Sequence, residues 1–215
     1  VAAAWSRDPV LVDAYERDID VHTLTAAKIR RIPVEAVTKE QRNPAKTTNF
    51  LALYGGGAFQ LARSVKIPYS EAEDFLFDYW HTMSRLGEYI EESKERGRKR
   101  GYVETMFGRR VHVPHIYSKD PDTRKSGERL CVSGEVSGTA ADICRKAMID
   151  VAPKLLVFRD ADLLIQCHDE LIVECDERDA EDVRDVLRTT METCVDIGIP
   201  IKADAKIGRS WKELK

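Results

Sequence analysis

Acidic residues are missing from one long stretch of this chain. Across positions 41–70 the only ionised side chains are Arg42, Lys46, Arg63 and Lys66. Cysteine is sparse and odd in number (Cys131, Cys144, Cys167, Cys175 and Cys194), with no C-x-x-C spacing. That excludes a zinc ribbon and a disulfide frame, and fits small buried hydrophobes in a reducing compartment. No apolar run approaches the roughly 18 residues that a membrane-spanning helix needs. Glycine and proline, 12 and 8 in 215 residues, form no linker, and there is neither an internal repeat nor a low-complexity segment. The first residue, Val1, is not Met, and positions 1–5 lack the basic start and apolar stretch of a signal peptide. We therefore expect a fragment, a processed product or a piece of something longer.

What is present is globular in character: 43% hydrophobic and 33% charged residues, enough chain for one large domain or two small ones. The net charge of -3 and pI of about 6.0 argue on their face against a nucleic-acid partner. The distribution says otherwise. Besides the acid-free stretch, Lys94, Arg96, Arg98, Lys99, Arg100, Arg109 and Arg110 face only Glu95 and Glu104, while the acids gather at 71–92 and 160–185. Exposed charges are screened beyond about 8–10 Å, so local stripes outweigh the total. Solvated helix faces would give the same runs.

The most informative pattern lies in the acid-free stretch. Arg42, Lys46, Phe50 and Tyr54 recur every fourth residue and are followed by Gly55-Gly56-Gly57. On a helix these side chains share one face. Two cations followed by two aromatic rings suit a nucleotide, with charge for the phosphates and flat apolar groups for sugar and base. Taken as pairs, Arg/Lys also fits a solvated face, and Phe/Tyr a core.

Apolar spacing predicts a helix over 8–30, stopping before Pro33. The capping-box pattern Thr38-Lys-Glu-Gln41 predicts a second helix from about Lys39 to the triple glycine. Ser70-Glu-Ala-Glu73 predicts a third, running to about Arg100. Residues 101–114 read as strand, turn at Phe107-Gly108, and strand. A polar loop is expected over 115–127, then a helix-rich stretch over 128–158 interrupted around 133–139. Short strands at 163–166 and 171–174 form a hairpin, 179–195 a helix, and 199–207 a closing strand. Helices first, then hairpin, helix and strand, give an α+β class with a helical insert.

Gln166-Cys-His-Asp-Glu170 is the second informative feature. Two adjacent carboxylates at a hairpin tip flanked by apolar strands are costly near a core without a cation. Mg²⁺ takes oxygen ligands, usually one or two carboxylates plus substrate phosphates. A solvent-exposed turn with incidental acids is the alternative.

The stripe at 42–55, Gly101-Tyr-Val-Glu-Thr, Gly108-Arg-Arg110, Gly138-Thr-Ala-Ala-Asp142, His168-Asp-Glu170 and the ending Ile207-Gly-Arg-Ser-Trp211 together resemble family A DNA polymerases. The likeness runs from Val1 to Lys215 and is nearest to the C-terminal part of the bacterial polymerase I type. It implies a helical fingers subdomain joined to part of the antiparallel-sheet palm of a right-hand polymerase. Residues 1–125 would be the fingers, with a palm-exit segment at the start, and 126–215 the C-terminal palm.

The resemblance also implies roles. Arg42 and Lys46 would hold the incoming triphosphate, and Lys46 would protonate the departing pyrophosphate. Phe50 would pack on the deoxyribose, Tyr54 would stack beside the nascent pair, and His22 would sit near the β-phosphate. Arg129 would reach the minor groove at the primer terminus, and His168 would lie near the primer end. Asp169 would be a catalytic carboxylate and metal ligand with Glu170 in support, and the complete enzyme would use two Mg²⁺ ions. Primer-template DNA and a deoxynucleoside triphosphate are the implied partners, with no membrane. A cytoplasmic, nucleoid-associated setting is implied, or the host cytoplasm for a viral source.

Two departures qualify this. Ser133 and Ser137 stand where family members usually have Asn and Gln, so weaker or water-mediated minor-groove contact is expected. The family's first catalytic block should lie immediately before Val1; without it the second metal-binding carboxylate is missing and turnover would need an upstream segment, on the same or a separate chain. The competing readings are a catalytically silent nucleotide- or nucleic-acid-binding fragment and a Mg²⁺ phosphoesterase. Hydrolysis needs no base-stacking ring, so Tyr54 disfavours the phosphoesterase.

Overall fold

The computed structural model describes residues 1–214. They form two compact units, 1–138 and 139–214.

In the first unit, acids placed before apolar runs set the helix starts. Helix α1 (Ala2–Ser6) precedes Asp8, whose carboxylate accepts from Val10 N–H at 3.0 Å and caps α2 (Pro9–Glu16). Asp20 does the same for α3 (Val21–Arg30), accepting from Thr23 N–H at 2.7 Å. The single helix expected over 8–30 is thus two. Asp18 takes a left-handed conformation (φ 56°) between them, and Asp20 offers a side-chain oxygen just where the second helix starts.

Helix α4 (Lys39–Leu53) begins as expected, with Thr38 Oγ1 accepting from Gln41 N–H and Gln41 Oε1 accepting from Thr38 N–H. It ends at Tyr54, where Gly55 (φ 71°) turns the chain and Gly56 N–H closes on Leu51 O at 2.7 Å. Helices α5 (Ala58–Val65), α6 (Tyr69–Thr82) and α7 (Ser84–Arg100) follow. Two expectations are corrected here. Ser70 lies inside the first turn of α6 rather than capping it, and the helix expected to reach Arg100 breaks at Met83. The start of α7 is held from far away in sequence: Leu86 N–H donates to buried Asp8 Oδ2 at 3.1 Å. One carboxylate therefore satisfies the first turns of two helices.

Ala26, Ala45, Leu61, Ala72 and Phe75 form the core between α3, α4, α5 and α6. The alanines leave room for α3 and α4 to lie close together, which sets Asp20 and His22 beside the α4 stripe.

Strands β1 (Tyr102–Glu104) and β2 (Arg110–His112) pair antiparallel, Val103 opposite Val111, with Gly108 (φ 79°) in the turn. The loop expected over 115–127 is instead a 3-10 turn (Pro114–Tyr117) and the start of α8 (Pro121–Leu155). The expected interruption around 133–139 does not occur. The glycines there serve close packing: a Cβ on Gly134 would lie 3.0 Å from Val103 Cγ2, and one on Gly138 2.8 Å from Thr105 Cγ2. Glu135, 1% exposed, accepts from Tyr89 Oη and from Arg96 Nε and Nη2 at 2.8–2.9 Å, and Arg96 also lies over the Trp5 ring. This pair joins α7 to α8, and its hydrogen bonds offset the cost of burying the Glu135 carboxylate beside a half-exposed Arg96.

The second unit contains α8 from Thr139, strands β3 (Asp162–Cys167) and β4 (Glu170–Glu174), and α9 (Ala180–Thr193). Cys144, Ala147 and Leu171 form one core cluster, and Val151, Leu155 and Val183 another. The closing strand expected over 199–207 is not formed. Residues 197–206 keep a strand's alternation of covered and exposed positions but have no ladder partner among the described residues. Ala203 N–H is satisfied by Glu192 Oε1 at 3.2 Å.

Candidate nucleotide and nucleic-acid site

Along α4 the four stripe residues stand as a helix requires, and their surroundings separate the readings that spacing leaves open. Phe50 is 52% and Tyr54 45% exposed, so neither is core. Lys46 is exposed and makes no ion pair among the described residues. Arg42 is held: its Nε and Nη2 donate to Asp20 Oδ1 and Oδ2 at 3.0 and 2.7 Å. The Arg42 hydrogen bond, with help from Thr23, keeps the Asp20 carboxyl well below the usual carboxylate range. Guanidinium has five N–H donors, so this bidentate pair leaves others free to meet a phosphate.

His22, on the first turn of α3, faces the same stripe. Its ring centre is 5.7 Å from that of Phe50, and its Nδ1 lies 2.9 Å from Asn49 Nδ2. Burial lowers the pKa of His22, and Arg42 and Lys46 lower it further against the opposing pull of Asp20. Burial and the two cations thus favour the neutral imidazole.

At its C-terminal end the stripe meets α8. A Cβ on Gly55 would lie 3.2 Å from Arg129 Cγ, so the turn after Tyr54 abuts the Arg129 stem. Arg129, Ser133 and Ser137 follow one another at helical spacing on α8, with Arg129 and Ser137 exposed and Ser133 half-buried. Ser133 Oγ turns back to Leu130 O at 3.4 Å.

In the second unit, His168 and Asp169 make the turn between β3 and β4, and Glu170 opens β4 opposite Cys167. His168 holds a left-handed conformation (φ 54°), and its carbonyl accepts from the Gln166 amide. His168, Asp169 and Glu170 are all exposed. Burial pushes the Cys144 thiol up, and the nearby Asp169 charge adds to this. Among the described residues no three His, Cys, Asp or Glu side chains gather into a metal site. Two exposed carboxylates on a fixed turn nonetheless match Mg²⁺, which keeps several waters and takes few protein ligands.

Sequence reasoning passed over Asn49 and Thr25 and gave Asp20 no role. Asn49 stands seven residues after Arg42 and three after Lys46, on the same helix face, so the spacing that exposed the stripe also contains it. The Asp20–Arg42 pair has no local signal, since it spans 22 positions.

The fold is mostly helical with small antiparallel hairpins, and it is that of a DNA polymerase domain. It superposes with a TM-score of 0.91 and 30% identity on the POL domain of Pol1 from M. smegmatis, a structure in complex with DNA primer-template and dNTP, covering 98% of this chain and 37% of that one. The sequence profile of DNA polymerase family A matches residues 1–213, and the chain belongs to that family. It is 37% identical over 220 residues to DNA polymerase I of Rhizobium leguminosarum, spanning 99% of this chain and 22% of that protein. It is 37% identical over 215 residues to the thermostable DNA polymerase I of Thermus aquaticus, spanning 100% of this chain and 26% of that protein. The chain thus spans about a quarter of the length of the curated relatives it matches. No helix among the described residues is long and apolar enough to cross a membrane.

Proposed function

We propose that the chain is the C-terminal part of a template-directed DNA polymerase that transfers a deoxynucleotide to a primer 3′-hydroxyl. Residues 1–125 serve as fingers, with a palm-exit segment at the start, and 126–215 as the C-terminal palm. The observation that carries this reading is the open α4 stripe, cationic at Arg42 and Lys46 and aromatic at Phe50 and Tyr54, with His22 beside it.

Arg42, Lys46 and His22 bind the triphosphate, and the two cations stabilise charge that develops on it during transfer. Lys46 gives a proton to the pyrophosphate oxygen as it departs. The exposed Phe50 ring supports the deoxyribose, and Tyr54 stacks at the nascent pair, just before the Gly55 turn. Arg129 grips the duplex minor groove, with Ser133 and Ser137 as short-reach neighbours on the same stripe, and His168 lies near the primer end. Base pairing chooses the nucleotide, so the protein needs backbone grip and shape rather than a base code.

Asp169 and Glu170 would hold Mg²⁺, which when bound would supply charge neutralisation at the attacking and leaving oxygens, a task the complete enzyme would divide between two ions. The remaining carboxylate comes from an upstream polymerase segment on the same or another chain. In the second unit Ile149, Leu156, Val157, Leu164 and Ile165 stand exposed, side chains that such a segment could cover. Without that segment we propose the chain is inactive. The setting is cytoplasmic and nucleoid-associated, in keeping with five free cysteines.

A binding fragment without turnover is the second reading, and it draws on the absence of a third ligand beside Asp169 and Glu170 among the described residues. Titration of the chain with a Mg²⁺–deoxynucleoside triphosphate, followed by intrinsic fluorescence, tests the stripe. Arg42→Ala and Lys46→Ala should each weaken binding at least about tenfold, as removal of a charge-assisted contact does. Affinity unchanged in both variants would remove the stripe from nucleotide binding.

A further inference from the structure

The neighbourhood of His22 contains a chain of hydrogen bonds in which each hydrogen has one place to go. Thr25 is fully buried, and its Oγ1 lies 2.6 Å from Val21 O. A carbonyl oxygen only accepts, so at that distance the Thr25 hydroxyl hydrogen must lie between the two oxygens. Thr25 Oγ1 is left with lone pairs and can only accept from its other neighbour, the Asn49 amide at 3.2 Å. That orients Asn49 with its NH₂ group toward Thr25. The same nitrogen stands 2.9 Å from His22 Nδ1 and turns its second hydrogen there. His22 Nδ1 is therefore an acceptor, and the ring proton sits on Nε2.

We infer that Asn49 is a positioning residue: set by Thr25 and the Val21 carbonyl, it holds His22 as the neutral Nε2–H tautomer, an uncharged donor for the phosphate that Arg42 and Lys46 attract. A proton added to Nδ1 would face the Asn49 NH₂ group, so the network also opposes the charged ring. The groups facing His22 are Asp20, which favours its protonation, and Arg42 and Lys46, which oppose it, with the Phe50 ring alongside. The arrangement has a cost that points to a purpose. Asn49 Oδ1 is buried with no hydrogen-bond partner, so the amide's orientation serves its NH₂ end alone.

The ligand half of this inference rests on the triphosphate reading, and the tautomer half does not. Nitrogen-15 NMR of the imidazoles, with His22 assigned through a His22→Gln variant, reads the tautomer without ligand. Wild type and Thr25→Ser should show His22 protonated on Nε2 only. Thr25→Val removes the hydroxyl that orients Asn49 and should show both tautomers. Asn49→Asp replaces the donor with an acceptor, and should move the proton to Nδ1 and raise the pKa of His22. A wild-type ring protonated on Nδ1, or a tautomer unchanged in both Thr25→Val and Asn49→Asp, overturns the assignment. The second arm measures Mg²⁺–dATP affinity at pH 7. Thr25→Val should weaken it about 3- to 10-fold, the loss of one neutral hydrogen bond, and Thr25→Ser should restore it. If Thr25→Val mixes the tautomers but binds as wild type while Arg42→Ala weakens binding, the tautomer has no part in recognition. If Arg42→Ala also binds as wild type, the triphosphate reading itself fails while the positioning of His22 by Asn49 stands.

Discussion

At the scale of single residues, the site is organised by what each charge already touches. Lys46 is open, whereas Arg42 rests against Asp20, which also caps α3. One aspartate thus fixes a helix start and aims a guanidinium along the stripe. Asn caps as well as Asp does, so Asp20→Asn removes the ion pair and leaves the cap. Because Arg42 depresses the Asp20 pKa in the folded chain, the pair stabilises above the ordinary aspartate pKa of about 4. That contribution is lost as pH falls from about 4 through the lower folded value. At pH 7 Asp20→Asn should be less stable than wild type by under about 1 kcal/mol, since both side chains are partly open to water. Thermal melts from pH 7 downward should show the gap closing at acid pH; a gap that widens there would contradict the assignment. The stripe itself was legible because period-four spacing is local. Asp20, which caps a neighbouring helix and orients Arg42, and Thr25, which lies on that helix and orients Asn49, were not.

At the scale of elements, local caps were readable and distant ones were not. The Thr38–Gln41 capping box opens α4 where the pattern placed it, and both hairpins appear at their turn signals. The split of α6 from α7 could not be read, because the carboxylate that receives Leu86 N–H is 78 positions away. The break expected around 133–139 does not form, and the glycines there mark close contact. Gly127 makes this testable, since a Cβ there would sit 2.7 Å from Ile116 N. Alanine is the better helix former by about 1 kcal/mol. Backbone atoms cannot step aside as a flexible side chain can, so Gly127→Ala should nevertheless destabilise the chain by about 1–3 kcal/mol. Urea denaturation would show a lower midpoint; an unchanged or raised midpoint would refute the close packing. The segment 197–206 was legible as a strand from its alternation, which it keeps, but a ladder needs a neighbour that sequence periodicity does not supply.

At the scale of the whole molecule, family membership and fold are established, while activity belongs to a protein about four times longer in the curated relatives. The exposed apolar side chains of Ile149, Leu156, Val157, Leu164 and Ile165 should make the isolated chain bind the dye ANS. An upstream polymerase segment should displace the dye; binding unaffected by that segment would show that it does not cover this surface. In the function proposed above, the chain supplies the nucleotide stripe and one carboxylate pair to a polymerase completed from upstream. Mg²⁺-dependent primer extension on a primed template tests it most directly, with the chain alone, with the upstream segment, and with that segment plus Asp169→Asn. The account predicts no extension by the chain alone, extension with the segment, and its loss in Asp169→Asn. Extension that survives Asp169→Asn, or none from a folded complex that binds both DNA and triphosphate, would contradict it.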